Sequence, residues 1–220
     1  MSGAHWDHVY QTRGPTGVSW FQPHASRSLA LIRETGLPCD TPIIDVGGGA
    51  STLVDDLLAQ GYSDLTVLDL SGAALAAARA RLGERAEAVT WRVGDITTIE
   101  LPAHACAVWH DRAVFHFLRT PEERAAYIRN MLRTLRPAGY AIMATFAEDG
   151  PEKCSGLPVV RYSPAELHAQ LGPRFTLLRA DREVHQTPSG TPQRFIYCLF
   201  RVTHRRQSPA TLTRAACRER

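Results

Sequence analysis

The sequence predicts an α/β fold, a parallel sheet with helices between its strands and an antiparallel hairpin at the end. Short apolar runs alternate with amphipathic stretches from residue 42 to residue 146. Glycine or proline punctuates most junctions. The last two apolar runs are joined by HQTPSGTPQ, whose turn residues pair them as a hairpin. The chain has 220 residues, 44% hydrophobic and 21% charged, which is enough to bury a core and unlike a disordered chain. Its longest uncharged apolar stretches are about ten residues, short of the ~20 that span a bilayer. MSGAHWDHVY lacks the apolar centre of a signal peptide.

The elements follow in order. Residues 1 to 24 are rich in aromatics and histidine, with a loop at Arg13-Gly14-Pro15-Thr16-Gly17. Residues 25 to 35 are helical and stop at Gly36. Pro42 to Val46 is a strand buried on both faces. Gly47 to Gly49 turn into a helix over Thr52 to Gln60. Leu65 to Leu70 is the second strand. Ser71 caps a helix over Ala73 to Leu82, which Gly83 ends. Val89 to Val93 and Cys106 to Trp109 are the next strands, and residues 112 to 119 form a helical turn. Pro121 opens an amphipathic helix that Pro137-Ala138-Gly139 stops before a strand over Tyr140 to Phe146. Ala147 to Val160 reads as a long loop. Ser163-Pro164-Ala165-Glu166 is a capping box. Strands over Phe175 to Val184 and Phe195 to Val202 close the domain. Residues 1–36 are expected as an N-terminal segment and helix, 37–204 as the main domain and 205–220 as a disordered tail.

The formal charge is +3, but it is unevenly spread. From Arg201 onward there are six Arg and one Glu, and the body is close to neutral. A nucleic-acid-binding core surface is not expected, and the arginine-rich end lacks the aromatic interleaving of a strand-binding groove. Cys39, Cys106, Cys154, Cys198 and Cys217 are odd in number and show no metal-ligand or disulfide spacing. A reducing, cytoplasmic setting fits them. His24, His110, His116 and His185 have no convincing metal-ligand spacing, and no metal is expected.

IIDVGGGAS, residues 43 to 51, is strand, acid, glycine turn and helix. In an open α/β sheet a ligand sits over the carboxyl ends of the strands. Gly47 and Gly49 let backbone N–H groups approach it without Cβ interference. Asp69, at the end of the second strand, suits two ribose hydroxyls. Asp95 suits an adenine amine, and Leu70 and Ile96 suit the faces of its ring. Here the chain resembles the class I S-adenosylmethionine-dependent methyltransferases. The resemblance rests on Asp45-Val46-Gly47-Gly48-Gly49-Ala50-Ser51, Asp69, Asp95-Ile96, WHDRAVFHFL at 109 to 118, LRPAGYAIMATF and the closing hairpin. Ser51 replaces the family's third glycine. The resemblance implies a Rossmann-like three-layer sandwich with a mostly parallel seven-stranded sheet ending in the hairpin, and S-adenosylmethionine as co-substrate.

HWDHVY…VSWFQ resembles the opening of a branch that includes lysine methyltransferases acting on elongation factor. The resemblance places Trp6, Tyr10 and Trp20 as a lid over the cofactor. After the fourth strand, Asp111 or His110 is a candidate contact for the methionine amine or substrate. His116 is a candidate to position the nucleophile or accept its proton. The plainer reading makes Asp111 and Arg112 an ion pair and buries His116. Cys154, His185 and Gln193 are further candidates near the substrate mouth. The acceptor is expected to be a small molecule, because no large insertion exists to grip a macromolecule. A protein lysine methyltransferase, a nicotinamide oxidoreductase (disfavoured by Thr52 where its motif needs glycine) and a non-catalytic cofactor-binding protein are the alternatives.

Overall fold

The computed structural model describes residues 2–203. The expected arginine-rich tail and Cys217 lie outside the described residues. The main sheet has seven strands in the order β3-β2-β1-β4-β5-β9-β8. These are β1 (Ile43–Val46), β2 (Leu65–Asp69), β3 (Val89–Val93), β4 (Cys106–Arg112), β5 (Leu135–Phe146), β8 (Phe175–Gln186) and β9 (Pro192–Val202). The first five are parallel; β9 runs antiparallel to β5, and β8 to β9. Alternate residues of each buried strand face opposite cores. Ile43 and Val67 pack in one cluster with Leu31 and Ile32 of α2 (Ser26–Glu34) and Leu53 and Leu57 of α3 (Leu53–Ala59). Ile44 and Leu68 pack in the other with Tyr127 and Met131 of α5 (Pro121–Thr134) and Leu167 of α6 (Pro164–Leu171). Helices on both faces of the sheet make the three layers that the apolar runs predict.

The caps match the sequence. The Ser71 hydroxyl accepts from the Ala74 N–H at the start of α4 (Gly72–Leu82). Capping boxes at Thr120/Glu123 and Ser163/Glu166 open α5 and α6, each with proline in the first turn.

Four details differ from the expected elements. Residues 3 to 13 form a helix, α1 (Gly3–Arg13), in which only Val9 is fully buried. It has no apolar stripe, so periodicity does not reveal it. β4 continues through His110, Asp111 and Arg112, because burial and specific partners compensate for their polarity. β5 begins at Leu135, as Pro137 forces its predecessor out of helix, and a register shift opposite Cys106/Val108 absorbs the irregularity. The long loop contains a small hairpin, β6 (Lys153–Cys154) and β7 (Leu157–Pro158). Its Ser155-Gly156 turn has φ of 49° and 80°, the positive values that a two-residue hairpin turn demands.

Candidate active site

The direction of strand addition reverses between β1 and β4, which is where an open α/β sheet leaves a crevice. A crevice lies there, over the carboxyl ends of β2, β1 and β4. Gly47, Asp69, Leu70, Asp95, Ile96 and Trp20 line it together with Arg112, Phe117 and Cys154. A smaller cavity adjoins it, lined by Asp45, Gly48, His110 and Ser51, and shares Tyr10, Trp20, Gly47 and Arg112 with it.

Each glycine of the turn after β1 is required by its surroundings. Gly47 has φ of 69°, and a Cβ there would meet Val114 Cγ2 at 1.9 Å. Val114 is brought over by Ala113, whose φ of 71° turns the chain sharply after β4. A Cβ on Gly48 would strike Asp45 Oδ2 at 2.5 Å; one on Gly49 would strike Asp69 Oδ2 at 2.8 Å and Tyr10 Oη at 2.9 Å. The N–H groups of Gly47 and Gly48 do not point at a ligand, since both donate to the Leu68 carbonyl, at 2.7 and 3.2 Å. What the turn offers is bare Cα surface and tight interlocking of β1, β2 and β4.

Asp69 accepts from the Ser71 N–H at 2.7 Å. Burial pushes its carboxyl from 3.8 up to about 7, opposed by the bond from Ser71 and reinforced by the charges of Asp45 and Asp7. Its folded value exceeds the unfolded one, so the stability it contributes is present below pH ~4 and is lost as pH rises through about 7. Asp69→Asn is therefore expected to raise the melting temperature of the ligand-free protein at pH 8, by about 1–3 kcal/mol of stability, with no gain near pH 4. The same variant is expected to weaken binding of S-adenosylhomocysteine. In the wild type that binding strengthens from pH 6 to pH 8 as the carboxylate forms. Melting curves and calorimetric titrations across this range check both signs; a pH-independent difference in melting would remove Asp69 from the account.

Asp95 accepts from the Thr97 N–H and hydroxyl, at 2.8 and 2.6 Å, which fixes it at the crevice edge. α1 forms the roof. Asp7 accepts from the Ser71 hydroxyl at 2.6 Å and the Ala73 N–H at 3.2 Å, fastening α1 to the start of α4. Trp6 packs edge-on against Phe117 and Trp20, and Trp20 Nε1 donates to Tyr10 Oη at 3.3 Å. Trp6, Tyr10 and Trp20 thus sit where a lid over the crevice would sit.

Two candidates are turned away from the crevice. Asp111 is fully buried on the opposite face of the sheet, where it accepts from the Val114 and Phe115 N–H groups and from Tyr127 Oη at 2.5 Å. It holds the turn after β4 and contacts no ligand space, and it makes no ion pair with Arg112. His116 is also fully buried, against Phe117 and Phe146, with Nδ1 accepting from the Phe146 N–H at 3.4 Å. Burial and Arg112 push its value down to about 3, so it is a neutral core histidine with no path to a nucleophile's proton.

His110 sits between them in role. It is buried, with Nδ1 2.7 Å from Asp45 Oδ1 and Nε2 2.8 Å from Ser28 Oγ, and this chain ties α2 to β1 beside the smaller cavity. His185 bonds the Ser19 carbonyl at 2.8 Å, and His24 bonds Asp56 at the surface. Gln193 is buried with Oε1 unpartnered. Cys154, delivered by the β6–β7 hairpin, lines the crevice as a thiol that burial pushes up to about 12. Arg112 escaped the sequence reading because an adjacent Asp-Arg pair suggests mutual neutralisation. The described residues contain no cluster of three metal-ligating side chains.

Residues 43–139 match a family described as methyltransferase domain. The human EEF1A lysine methyltransferase 2 is 22% identical over 155 residues, 64% of this chain and 66% of that protein. A mouse eEF1A lysine and N-terminal methyltransferase is 25% identical over 138 residues, 63% of this chain and 19% of that protein. The matched stretch therefore spans under two thirds of these relatives. Among solved structures, one described for conversion of a disulfide bond into a thioacetal group during echinomycin biosynthesis superposes with a TM-score of 0.73 at 19% identity, over 91% of this chain and 93% of that one. The Burkholderia thailandensis 1,6-didemethyltoxoflavin-N1-methyltransferase, solved with S-adenosylhomocysteine, gives 0.65 at 19% identity, over 89% and 81%.

Proposed function

We propose that the chain is a class I S-adenosylmethionine-dependent methyltransferase and that it methylates a small molecule bearing a thiol, amine or oxygen nucleophile; the match of residues 43–139 to a methyltransferase domain and the shared fold support the first part. The residues present fit the co-substrate: Asp69 and Asp95 are fixed acceptors along one wall, and the glycine turn leaves no Cβ in the way. When bound, S-adenosylmethionine supplies a methyl on a sulfonium sulfur, open to in-line displacement. In this reading Asp69 accepts from the ribose, Asp95 from the adenine, and Leu70 and Ile96 pack on the ring. Trp6, Tyr10, Trp20 and Phe117 exclude water and hold the acceptor in line.

The observation that carries the small-molecule reading is the charge at the β4 end of the crevice. The lining carboxylates are Asp69, Asp95 and Glu123, while the charged side chain beside Phe117, Trp20 and Cys154 is Arg112. A lysine ammonium entering there meets a guanidinium. No histidine lines the crevice among the described residues, which favours an acceptor that needs no histidine base, as a thiolate or a neutral amine needs none.

The relatives' names favour a second reading, methylation of a lysine in a protein. Incubating the protein with cell extract and methyl-labelled co-substrate separates the two. Label in a product of small-molecule size is expected; label confined to a protein band, elongation factor 1A included, would overturn the small-molecule reading.

A further inference from the structure

We propose that the acceptor is a flat aromatic or heteroaromatic acid whose carboxylate is held by Arg112, while a separate group on it takes the methyl. The inference rests on the reading above and names the class of small molecule that reading requires. Arg112 is the one cation lining the crevice among the described residues. Nε donates to Tyr197 Oη at 2.8 Å, Nη1 donates to the Trp20 carbonyl at 2.9 Å, and the Phe195 ring centroid lies 4.7 Å from Cζ. These partners are neutral. Glu183 reaches the Tyr197 phenol but makes no ion pair with Arg112. Nη2 is buried and has no partner. A fixed guanidinium with a donor left over is preorganised for a carboxylate oxygen.

The direction of the side chain assigns it to the acceptor. Asp69 ends β2 and Asp95 follows β3, on one side of β1. Arg112 stands on β4, on the other side, opposite Ala144 of β5, which in turn is opposite Tyr197 of β9. The guanidinium thus passes over β5 to reach β9, away from the half of the crevice that suits a nucleoside. The walls beside it are Trp6, Trp20, Phe117 and Cys154. They are uncharged, the Cys154 thiol because burial pushes it up to about 12. Glu123 also lines the crevice, but one of its oxygens accepts from the Arg119 and Thr120 N–H groups in the cap of α5. Aromatic rings around one fixed cation suit a planar anion: the rings pack on its faces and edges, and the guanidinium takes its charge. The same positive charge that opposes a lysine ammonium therefore selects the acceptor, and the co-substrate leaves it free.

Two experiments on the full chain test this. In the first, 2-naphthoate and 2-naphthamide are titrated calorimetrically into protein saturated with S-adenosylhomocysteine. Wild type is expected to prefer the acid by about 10- to 100-fold, the scale of a charge-assisted bond to a partly buried partner. Arg112→Gln is expected to erase that preference while still binding the amide, which shows that the variant is folded, and Arg112→Lys to keep part of it. Equal binding of the two compounds to wild type, no binding of either, or a preference that survives in Arg112→Gln would overturn the proposal. So would an Arg112→Gln variant that weakens S-adenosylhomocysteine about 10-fold but not its decarboxylated analogue, since the charge would then belong to the co-substrate. The second experiment needs no variant. The labelled small product from cell extract is passed over an anion exchanger, and retention at about pH 7 that is lost at about pH 2 is expected, as a carboxylate requires. A labelled small product that flows through at both overturns the acid class and leaves the small-molecule reading in place, whereas label confined to protein overturns both. If S-adenosylhomocysteine does not bind wild type, the co-substrate reading fails and this one with it.

Discussion

Asp111→Ala is expected to cost about 3–5 kcal/mol of folding stability, the largest loss for any single side chain described above. The carboxylate is the acceptor for two backbone N–H groups and the Tyr127 hydroxyl in a site closed to solvent. Tyr127 in turn accepts from Trp109 Nε1 at 2.8 Å, so one deletion leaves a whole buried chain short of its terminal acceptor. Burial pushes the Asp111 carboxyl up to about 6 despite those donors, which shows how much desolvation the site imposes. Urea denaturation at pH 8 reads the effect. Tyr127→Phe, which removes one link, is expected to cost about 1–2 kcal/mol, and the double variant less than the sum, because both act on one network. Additive losses would mean the two groups are independent, and a loss under 1 kcal/mol in Asp111→Ala would remove its structural role.

Gly47→Ala is expected to abolish measurable binding of S-adenosylhomocysteine, through a local cost of about 2–4 kcal/mol from a left-handed backbone and an overpacked contact. The added Cβ would lie 1.9 Å from Val114 Cγ2, so the turns after β1 and β4 cannot both keep their places. Val114→Ala removes the offending methyl. The double variant Gly47→Ala/Val114→Ala is expected to recover part of the binding, limited by the strain that alanine retains at φ of 69°. Calorimetry on the single and double variants checks this; unchanged affinity in Gly47→Ala would mean that the turn does not shape the site.

The sheet was legible because its central strands are short apolar runs bounded by glycine, and a strand buried on both faces has few other ways to read. Asp69, Asp95 and the glycine turn were legible for a related reason, since each follows a strand and so reaches the same edge of the sheet. Asp111 and His116 were not. A polar residue near a strand end can point to ligand or to core with the same sequence, and here the partners that decide it, Tyr127 and Phe146, are distant in the chain. Arg112 was obscured likewise, as its partners Trp20 and Tyr197 come from opposite ends of the fold. The roof helix gave no periodic signal because it buries aromatic tips over a cavity instead of a stripe on a core. The small hairpin did carry a signal, Ser155-Gly156, that its surrounding prolines and glycines masked.

α1 is joined to the body through Asp7 at the head of α4 and through interlocked indole and phenol rings. If the co-substrate lies beneath α1 as proposed, Asp7→Ala, which removes the fastening to α4, is expected to speed release of S-adenosylhomocysteine more than it weakens equilibrium binding; stopped-flow dissociation beside calorimetry checks this, and an unchanged release rate would mean that the fastening does not govern residence time.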